Sequence, residues 1–231
     1  MSTQPRLVEI RQNILKQNDL LARSLRHRFA EAGVYVVSLV SSPGAGKTTL
    51  LEKTLTRLRD SGCRVAALVG DLATENDAAR LARSQVPVKQ IITGTVCHLD
   101  ADMVQRSLDE WELNKLDCLF IENVGNLVCP SSYDLGENLR IVLMSATEGE
   151  DKPLKYPTIF NTADVAVITK VDLMEAVEFD LAAARDSIQS VRPGMKVLEL
   201  SAKTGEGLDE YQRFLELHMT NKVAVASASA G

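Results

Sequence analysis

The sequence predicts an α/β fold in which a mostly parallel sheet is flanked by helices on both faces. Short apolar runs alternate with amphipathic helical segments along the chain, and a glycine-rich turn joins the first apolar run to a helix. Strands that alternate with helices indicate parallel crossover units. The length of 231 residues and the hydrophobic content of 45% fit one main domain with a sizeable core. We expect an N-terminal amphipathic helix over 1–32, the main domain over 33–220 and a disordered tail over 221–231.

The individual elements follow from the spacing of apolar residues. The first helix, over about residues 5–30, has one apolar face formed by Leu7, Ile10, Ile14, Leu21 and Leu25. Gly33 marks the passage into the first strand, over 34–40, and a helix starts near Thr49. Further strands are predicted over 64–70, 88–92, 116–121, 139–146, 164–169 and 196–200, and further helices over 75–84, 99–115, 175–190 and 208–218.

Composition and charge exclude several classes of partner. The net charge of −5 gives no general basic surface for nucleic acid or for an anionic membrane. The apolar runs are shorter than the roughly 20 residues that a membrane helix needs, and no export signal is recognisable. The four cysteines lack the dense spacing of a disulfide framework. We expect a cytoplasmic protein with no nucleic-acid partner and no membrane partner.

The strongest motif is the stretch SSPGAGKTT over 41–49, between a predicted strand and a predicted helix. Its glycines let backbone N–H groups approach phosphates without Cβ clashes, and the helix N-terminus adds a favourable dipole. Lys47 is expected to reach the β- and γ-phosphates and the Thr48 hydroxyl to bind Mg²⁺. Ser41 stands where the usual pattern has its first glycine. The sequence predicts a P-loop that binds a nucleoside triphosphate through Pro43, Gly44, Ala45, Gly46, Lys47, Thr48 and Thr49.

Carboxylates follow two predicted strands at their carboxyl ends, where parallel sheets bind ligands. Glu122 ends one apolar strand, and the N–H of Gly125 can sense the γ-phosphate. Asp71 and Asp77 lie on the loop and helix start expected to close over the triphosphate. A solvated strand cap at Glu122 and a simple first-turn helix carboxylate at Asp77 are the alternatives. The candidate catalytic residues are Lys47, Thr48, Asp71 and Glu122, and the candidate Mg²⁺ ligands are Thr48, Asp71, Asp77 and Glu122.

Two further segments point to the base of the nucleotide. The sequence TKVD over 169–172 resembles the Asn-Lys-x-Asp of GTPases, in which the aspartate accepts hydrogen bonds from guanine N1 and N2. Adenine lacks those donors, so a carboxylate at Asp172 disfavours ATP. Thr169 in place of asparagine is expected to lose an amide that usually braces the loop. The sequence predicts a guanine site formed by Thr169, Lys170, Asp172, Ser201, Ala202 and Lys203.

Three residues form a candidate metal site. Cys97 and His98 are adjacent, and Cys129 follows the predicted γ-phosphate loop. Taken alone, Cys97 is equally consistent with a buried apolar cysteine and His98 with a polar residue at a helix start. Together on nucleotide-adjacent loops they favour a bound metal ion, with a fourth position open or completed across a dimer. Cys63 and Cys118 are interpreted as structural.

These motifs together resemble the HypB family of GTPases, which assist nickel insertion into [NiFe] hydrogenase. The resemblance covers about residues 7–218, and its most specific part is ENVGNLVCP over 122–130. The related urease accessory GTPases usually carry Cys-Pro-His where this chain has Cys97-His98, and they fit less well. The other segments that carry the resemblance are 43–49, Gly70-Asp71 with Asp77, and 97–100.

The resemblance implies a homodimer that depends on GTP, Mg²⁺ and metal, with nickel or zinc on Cys97, His98 and Cys129 near the subunit interface. It also implies two partners, the nickel chaperone HypA and the precursor of the hydrogenase large subunit. Some family members add N-terminal cysteine motifs or histidine-rich stretches. This chain has no cysteine before Cys63 and only His27 in that region, so we expect no nickel-storage function.

Three alternatives remain at this point. A small-molecule P-loop kinase shares the phosphate site but needs a lid with arginines, and no such lid is recognisable. A nickel or zinc buffer with a regulatory nucleotide site predicts metal affinity that is the same with GTP and GDP. A urease-type nickel accessory GTPase is the third. Because no glutamine or arginine finger is assignable from sequence, we expect slow GTP hydrolysis.

Overall fold

The protein folds around a parallel sheet of seven strands. The computed structural model describes the backbone of residues 4–71 and 76–228 and the side chains of residues 12–71 and 77–220. The strand order is β3-β2-β4-β1-β5-β6-β7, and all neighbouring strands run parallel. The predicted fold class is confirmed. The strands are β1 (Tyr35–Ser41), β2 (Val65–Asp71), β3 (Val88–Ile92), β4 (Cys118–Glu122), β5 (Leu139–Ser145), β6 (Val165–Thr169) and β7 (Lys196–Leu200).

Helices cover both faces of the sheet, because the central strands are apolar on both sides. Every residue of β1 is buried, as expected for a parallel strand packed from above and below. Val37 and Leu39 face one helical layer and Val36 faces the other. The helices of the described residues are α1 (Gln4–Ala32), α2 (Lys47–Asp60), α3 (Asn76–Leu81), α4 (Ala101–Ser107), α5 (Lys152–Lys155), α6 (Pro157–Thr162), α7 (Leu181–Val191) and α8 (Leu208–Ala228).

Three apolar clusters form the core. One packs α2 and α8 on the sheet, with Leu51, Leu55 and Tyr211 among its buried residues. A second packs α1 and α4 on the opposite face, and a third packs α6 and α7 beside it. The predicted apolar face of the first helix is buried at Leu25 and half-buried at Leu21, whereas Ile14 is exposed. The side chains of Leu7 and Ile10 lie outside the described residues.

Two predicted helices are shorter than their sequence patterns. The helix expected over 99–115 is α4 alone, because the side chain of Asp100 accepts a hydrogen bond from Met103 N and starts the helix there. A separate 3₁₀ turn covers Leu113–Lys115. The helix expected over 175–190 begins only at Leu181, after Asp180 accepts a hydrogen bond from Ala183 N. In both places a capping aspartate fixes the start of the helix.

The region between β5 and β6 and the C-terminal region also differ from expectation. Helices α5 and α6 have proline in their first turn, a start signal that the apolar pattern alone did not reveal. Helix α8 extends to Ala228, into the segment 221–231 for which the sequence predicts a disordered tail. Residues 229–231 lie outside the described residues. Within the described part of the chain, no helix is both long and apolar enough to span a membrane.

Candidate functional site

A cavity of about 460 Å³ opens where β1, β2 and β4 end. These three strands are neighbours in the sheet, so their carboxyl ends bring together loops that are distant in sequence. The topology thereby explains why the P-loop meets both of the segments that were predicted to carry carboxylates. The cavity is lined by Pro43, Gly44, Gly46, Lys47, Thr48, Thr49, Gly70, Asp71, Asp77, Arg80, Glu122, Asn123, Val124, Gly125 and Lys170.

Two glycines shape the P-loop, and a third allows a neighbouring loop to pack on it. Gly44 and Gly46 have φ angles of 77° and 92°, in the left-handed region that side chains disfavour. Gly46 directly precedes α2, so its backbone conformation aims the helix N-terminus at the cavity. At Gly125, a Cβ atom would lie 3.0 Å from Pro43 Cα, so the absent side chain allows the loop after β4 to pack on the P-loop.

Lys47 is buried inside the P-loop, with 7% of the residue exposed. Its Nζ donates a hydrogen bond to Ser41 Oγ at 2.9 Å, and the Ser41 hydroxyl donates to Ser42 O. Burial lowers the pKa of Lys47, while the charges of Glu122 and Asp77 act against that shift. The serine that departs from the usual glycine pattern therefore holds the lysine at the phosphate site.

Thr48 and Glu122 form the hydrogen-bonded pair expected at a Mg²⁺ site. Thr48 Oγ1 donates to Glu122 Oε1 at 2.7 Å, and Glu122 Oε2 is buried without a hydrogen-bond partner among the described residues. Glu122 is only 3% exposed, which excludes a solvated strand cap, and burial raises its pKa to about 7. A hydroxyl beside a carboxylate with an unsatisfied oxygen fits a hard divalent cation.

Helix α3 adds a carboxylate and a cation to the same cavity. Asp77 is in its first turn and Arg80 lies three residues further on, on the same helical face. The guanidinium of Arg80 donates to Thr49 Oγ1 at 2.8 Å. Sequence reasoning missed Arg80; its spacing from Asp77 was the available signal. Asp71, at the end of β2, also lines the cavity.

Thr169 corrects one expectation about the guanine side. Its hydroxyl, buried at the end of β6, donates to Ala45 O at 2.6 Å and also lies 3.3 Å from Met144 O. The brace between this loop and the P-loop is therefore present and is supplied by a hydroxyl instead of an amide. Lys170 follows with a φ angle of 58° and lines the cavity.

The remaining predicted base-binding residues follow the neighbouring strands β6 and β7 in the chain. The 3₁₀ turn Val171–Leu173 begins directly after Lys170 and contains Asp172. Asp172 is not among the residues that line the described cavity. Ser201 Oγ accepts hydrogen bonds from the N–H groups of Lys203 and Thr204 and so fixes the 201–204 turn. Ala202 lies within that turn.

The structure brings the three predicted metal ligands together. Ligand atoms of Cys97, His98 and Cys129 all lie within 4.8 Å of one another, and the two sulfur atoms are 3.0 Å apart. Cys97 and His98 lie between β3 and α4, whereas Cys129 begins the 3₁₀ turn Cys129–Ser132. No other group of this kind occurs in the side chains that the structure describes.

The surroundings of His98 favour its use as a ligand. Its Nδ1 is buried and has no hydrogen-bond partner among the described residues. Its ring stacks on Tyr133, with the ring centroids 4.0 Å apart. Burial lowers the pKa of His98, which keeps the imidazole neutral at pH 7 and its lone pair available. Two thiols and a neutral imidazole suit nickel or zinc.

Asn126, which sequence reasoning also missed, connects the two parts of the metal site. Its Nδ2 donates to Cys97 O at 3.3 Å, and its Oδ1 accepts from Val128 N at 2.8 Å. Val128 directly precedes Cys129. Sequence alone gives no signal for this role, because it depends on how two separate loops meet.

Comparison with known proteins finds one matching family and several similar proteins. Residues 35–199 match the family model "CobW/HypB/UreG, nucleotide-binding domain". The hydrogenase maturation factor HypB of Azotobacter chroococcum is 46% identical over 93% of this chain and 70% of its own length. HypB of Escherichia coli K12 is 45% identical over 93% of this chain and 73% of its own length. The crystal structure of Helicobacter pylori HypB in complex with nickel has a TM-score of 0.83 and 41% identity, covering 89% of this chain and 96% of that one.

Proposed function

The chain belongs to the HypB group of the CobW/HypB/UreG family of nucleotide-binding proteins, and we propose that it hydrolyses GTP and delivers nickel to the large subunit of [NiFe] hydrogenase. One observation carries this proposal. The segment that leaves β4 contains both Glu122, in the phosphate cavity, and Cys129, in the metal cluster. A change in how this segment contacts a nucleotide therefore acts directly on a metal ligand.

In the proposed mechanism the P-loop holds the phosphates. Lys47 leaves Ser41 and pairs with the β- and γ-phosphates, while backbone N–H groups at the start of α2 stabilise the same charge. Thr48 and Glu122 hold Mg²⁺, with Asp71 and Asp77 at the same cavity. Mg²⁺ supplies neutralisation of the phosphate charge when it is bound.

Hydrolysis follows by in-line attack of water on the γ-phosphate. Arg80 is the cation that α3 places beside the P-loop, so we assign it a share in neutralising charge at the phosphates. Lys170, Asp172 and the 201–203 turn bind guanine, which makes GTP the substrate in preference to ATP. GTP hydrolysis is slow, so that the rate of hydrolysis sets the lifetime of the GTP-bound state.

Nickel is the cargo of the proposed cycle, bound by Cys97, His98 and Cys129. Three protein ligands leave a coordination position for a second copy of the chain or for a recipient. We propose a homodimer joined near this cluster, HypA as the metal-handling partner, and the hydrogenase large-subunit precursor as the client. GTP with Mg²⁺ orders the loop after β4, and hydrolysis releases that order and changes the geometry of the metal site.

The function is tested with the purified chain loaded with nickel. We expect phosphate release from GTP and little from ATP, no phosphate transfer to added acceptors, and GTP-dependent nickel transfer to the large-subunit precursor. A parallel reaction with urease apoprotein tests the urease-type alternative. Nickel transfer that is identical with GTP and GDP contradicts the proposal and supports the buffer alternative.

Zinc competes for the same ligands, so the same preparation is titrated with both metals. The variant Cys97→Ala is the control for metal bound elsewhere on the chain, since it removes one thiolate of the cluster. Metal binding that survives this change lies outside the proposed site.

A further inference from the structure

Asn123 lies between the nucleotide cavity and the segment that carries two of the metal ligands. It is 2% exposed and lines the cavity beside Glu122. Its Oδ1 accepts hydrogen bonds from Leu99 N at 3.0 Å and from Val124 N at 2.9 Å. Leu99 directly follows His98. One side-chain oxygen thus joins the loop after β4 to the backbone of the Cys97–His98 segment.

We propose that Asn123 is the positioning residue that transmits the nucleotide state to the metal site. The inference rests on the proposed function and adds the residue through which the coupling acts. When the nucleotide shifts the loop after β4, the Oδ1 atom of Asn123 moves with that loop. The hydrogen bond from Leu99 N passes this movement to His98 and Cys97, whereas Cys129 lies on the loop after β4 and moves with it directly.

The packing around Leu99 makes it sensitive to such a shift. Leu99 is fully buried, and a Cβ atom on Gly70 would lie only 2.7 Å from Leu99 Cγ. The missing side chain of Gly70 thus lets Leu99 pack against the end of β2, which also lines the cavity. Two cavity-lining residues, Gly70 and Asn123, therefore contact Leu99, the residue that follows His98. The backbone N–H of Asn123 donates a hydrogen bond to Leu39 O of β1 at 3.0 Å.

Asn18 provides a matched comparison, because it binds the same metal-bearing segment from outside the cavity. It is 5% exposed and belongs to α1. Its Oδ1 accepts from Ala101 N at 2.9 Å, and its Nδ2 donates to Asp134 O at 2.9 Å. It therefore ties both metal-bearing segments to the first helix. Loss of Asn18 loosens the metal site without removing the connection to the nucleotide.

The test compares nickel dissociation constants with Mg²⁺–GDP and with a non-hydrolysable GTP analogue. In the wild-type protein we expect the two constants to differ by about 5- to 150-fold, the usual range of coupling between sites. In Asn123→Ala we expect a ratio clearly below the wild-type value, because the link to Leu99 is lost and only the direct route through Cys129 remains. In Asn18→Ala we expect weaker nickel binding in both states with the wild-type ratio retained. A residue that only supports the fold would change both constants equally.

The outcomes separate this inference from the proposed function. A wild-type ratio of one overturns the proposed coupling and this inference together. A wild-type ratio above one that is undiminished in Asn123→Ala overturns this inference alone. An equal reduction of the ratio in Asn18→Ala also overturns this inference alone.

A second measurement needs no variant and so does not depend on whether Asn123→Ala folds. Hydrogen exchange of the peptide containing residues 97–101 is followed in the wild-type protein with each nucleotide. We expect the amide of Leu99 to change its protection between the two states. Equal exchange in both states contradicts the assignment of Asn123 as the transmitting residue.

Discussion

The phosphate cavity and the metal site are neighbours, but different kinds of structure hold their side chains. In the cavity, Lys47, Thr48 and Glu122 lie at the ends of buried elements and are hydrogen-bonded within the cavity itself. At the metal site, Cys97 and Cys129 are only half-buried; Cys97 lies on a loop and Cys129 begins a short 3₁₀ turn. The sheet therefore fixes the first site, whereas loop–loop contacts fix the second.

This difference indicates which site responds to the other. A group at the end of a buried strand moves little, because its neighbours in the sheet hold it on both sides. Loops that meet through single amide hydrogen bonds, such as those of Asn123 and Asn126, have a lower cost of rearrangement. We infer that the P-loop and the buried strand ends form the rigid site, whereas the loop after β4 and the metal cluster form the adjustable site.

The largest effect is expected at the rigid site. Lys47→Ala removes the cation that we propose neutralises the phosphates, and we expect kcat for GTP hydrolysis to fall by about 10²- to 10³-fold. Phosphate release measures this effect. The control is Lys53→Ala on the exposed side of α2, which should hydrolyse GTP normally. A small effect of Lys47→Ala shows that the P-loop lysine does not stabilise the reaction.

Removal of a ligand comes next and tests the adjustable site. Cys129→Ser should weaken nickel binding by more than the roughly 10- to 100-fold that loss of an outer-shell partner costs. Nucleotide binding should persist, because the phosphate cavity does not depend on this thiol. Competition titration with a chromophoric chelator gives the nickel affinity. Cys63→Ser is the matched control; if it weakens nickel binding as much, the cluster is not the nickel site.

A third prediction concerns pH in the nucleotide-free protein. Burial raises the pKa of Glu122 from 4.5 to about 7, an effect to which Asp77 adds and which Lys47 and Arg80 oppose. The folded state therefore binds this proton more tightly than the unfolded state. The resulting stabilisation is complete below pH 4.5 and is lost as the pH rises through 7.

Glu122→Gln removes this titration. Between pH 5 and pH 8, we expect the free energy of unfolding of the wild type to fall by about 1–3 kcal/mol relative to that of the variant. Urea denaturation at the two pH values measures it. The exposed Glu175→Gln should follow the wild type, and parallel curves for wild type and Glu122→Gln contradict the raised pKa.

The smallest effect is expected at the brace between the P-loop and the guanine side. Thr169→Val keeps the shape of the side chain but removes the hydrogen bond to Ala45 O. We expect nucleotide affinity to fall by about 0.5–1.5 kcal/mol, or roughly 2- to 10-fold. Fluorescent GDP titration measures it, with the exposed Thr158→Val as control. Unchanged affinity shows that the brace does not support the nucleotide site.

The sequence predicted the parallel sheet and the P-loop because both depend on local patterns. Strand β3 and strand β7 have the predicted bounds, and the glycines of the P-loop signal their own backbone conformation. The starts of α4 and α7 were not predicted, because a capping aspartate within an apolar helical pattern decides them. Local chemistry of this kind outweighs periodicity at the ends of elements.

The residues of the site were predictable where each carries a distinctive chemical group. Cys97, His98 and Cys129 are such residues, and the structure brings them together. Asn123 was not predictable, since an asparagine gives no signal until the fold shows what it contacts. Arg80 was missed, although its spacing from Asp77 places both on one helical face.

We propose that the phosphate cavity and the metal cluster are energetically linked, and a complete thermodynamic cycle tests this linkage most directly. Nickel affinity is measured with Mg²⁺–GDP and with the GTP analogue, and the affinities of both nucleotides are measured with and without nickel. Linkage requires the two ratios to be equal, and we predict a common value above about 5. Ratios of one in both directions contradict the account and leave a nucleotide-binding protein whose metal site is independent.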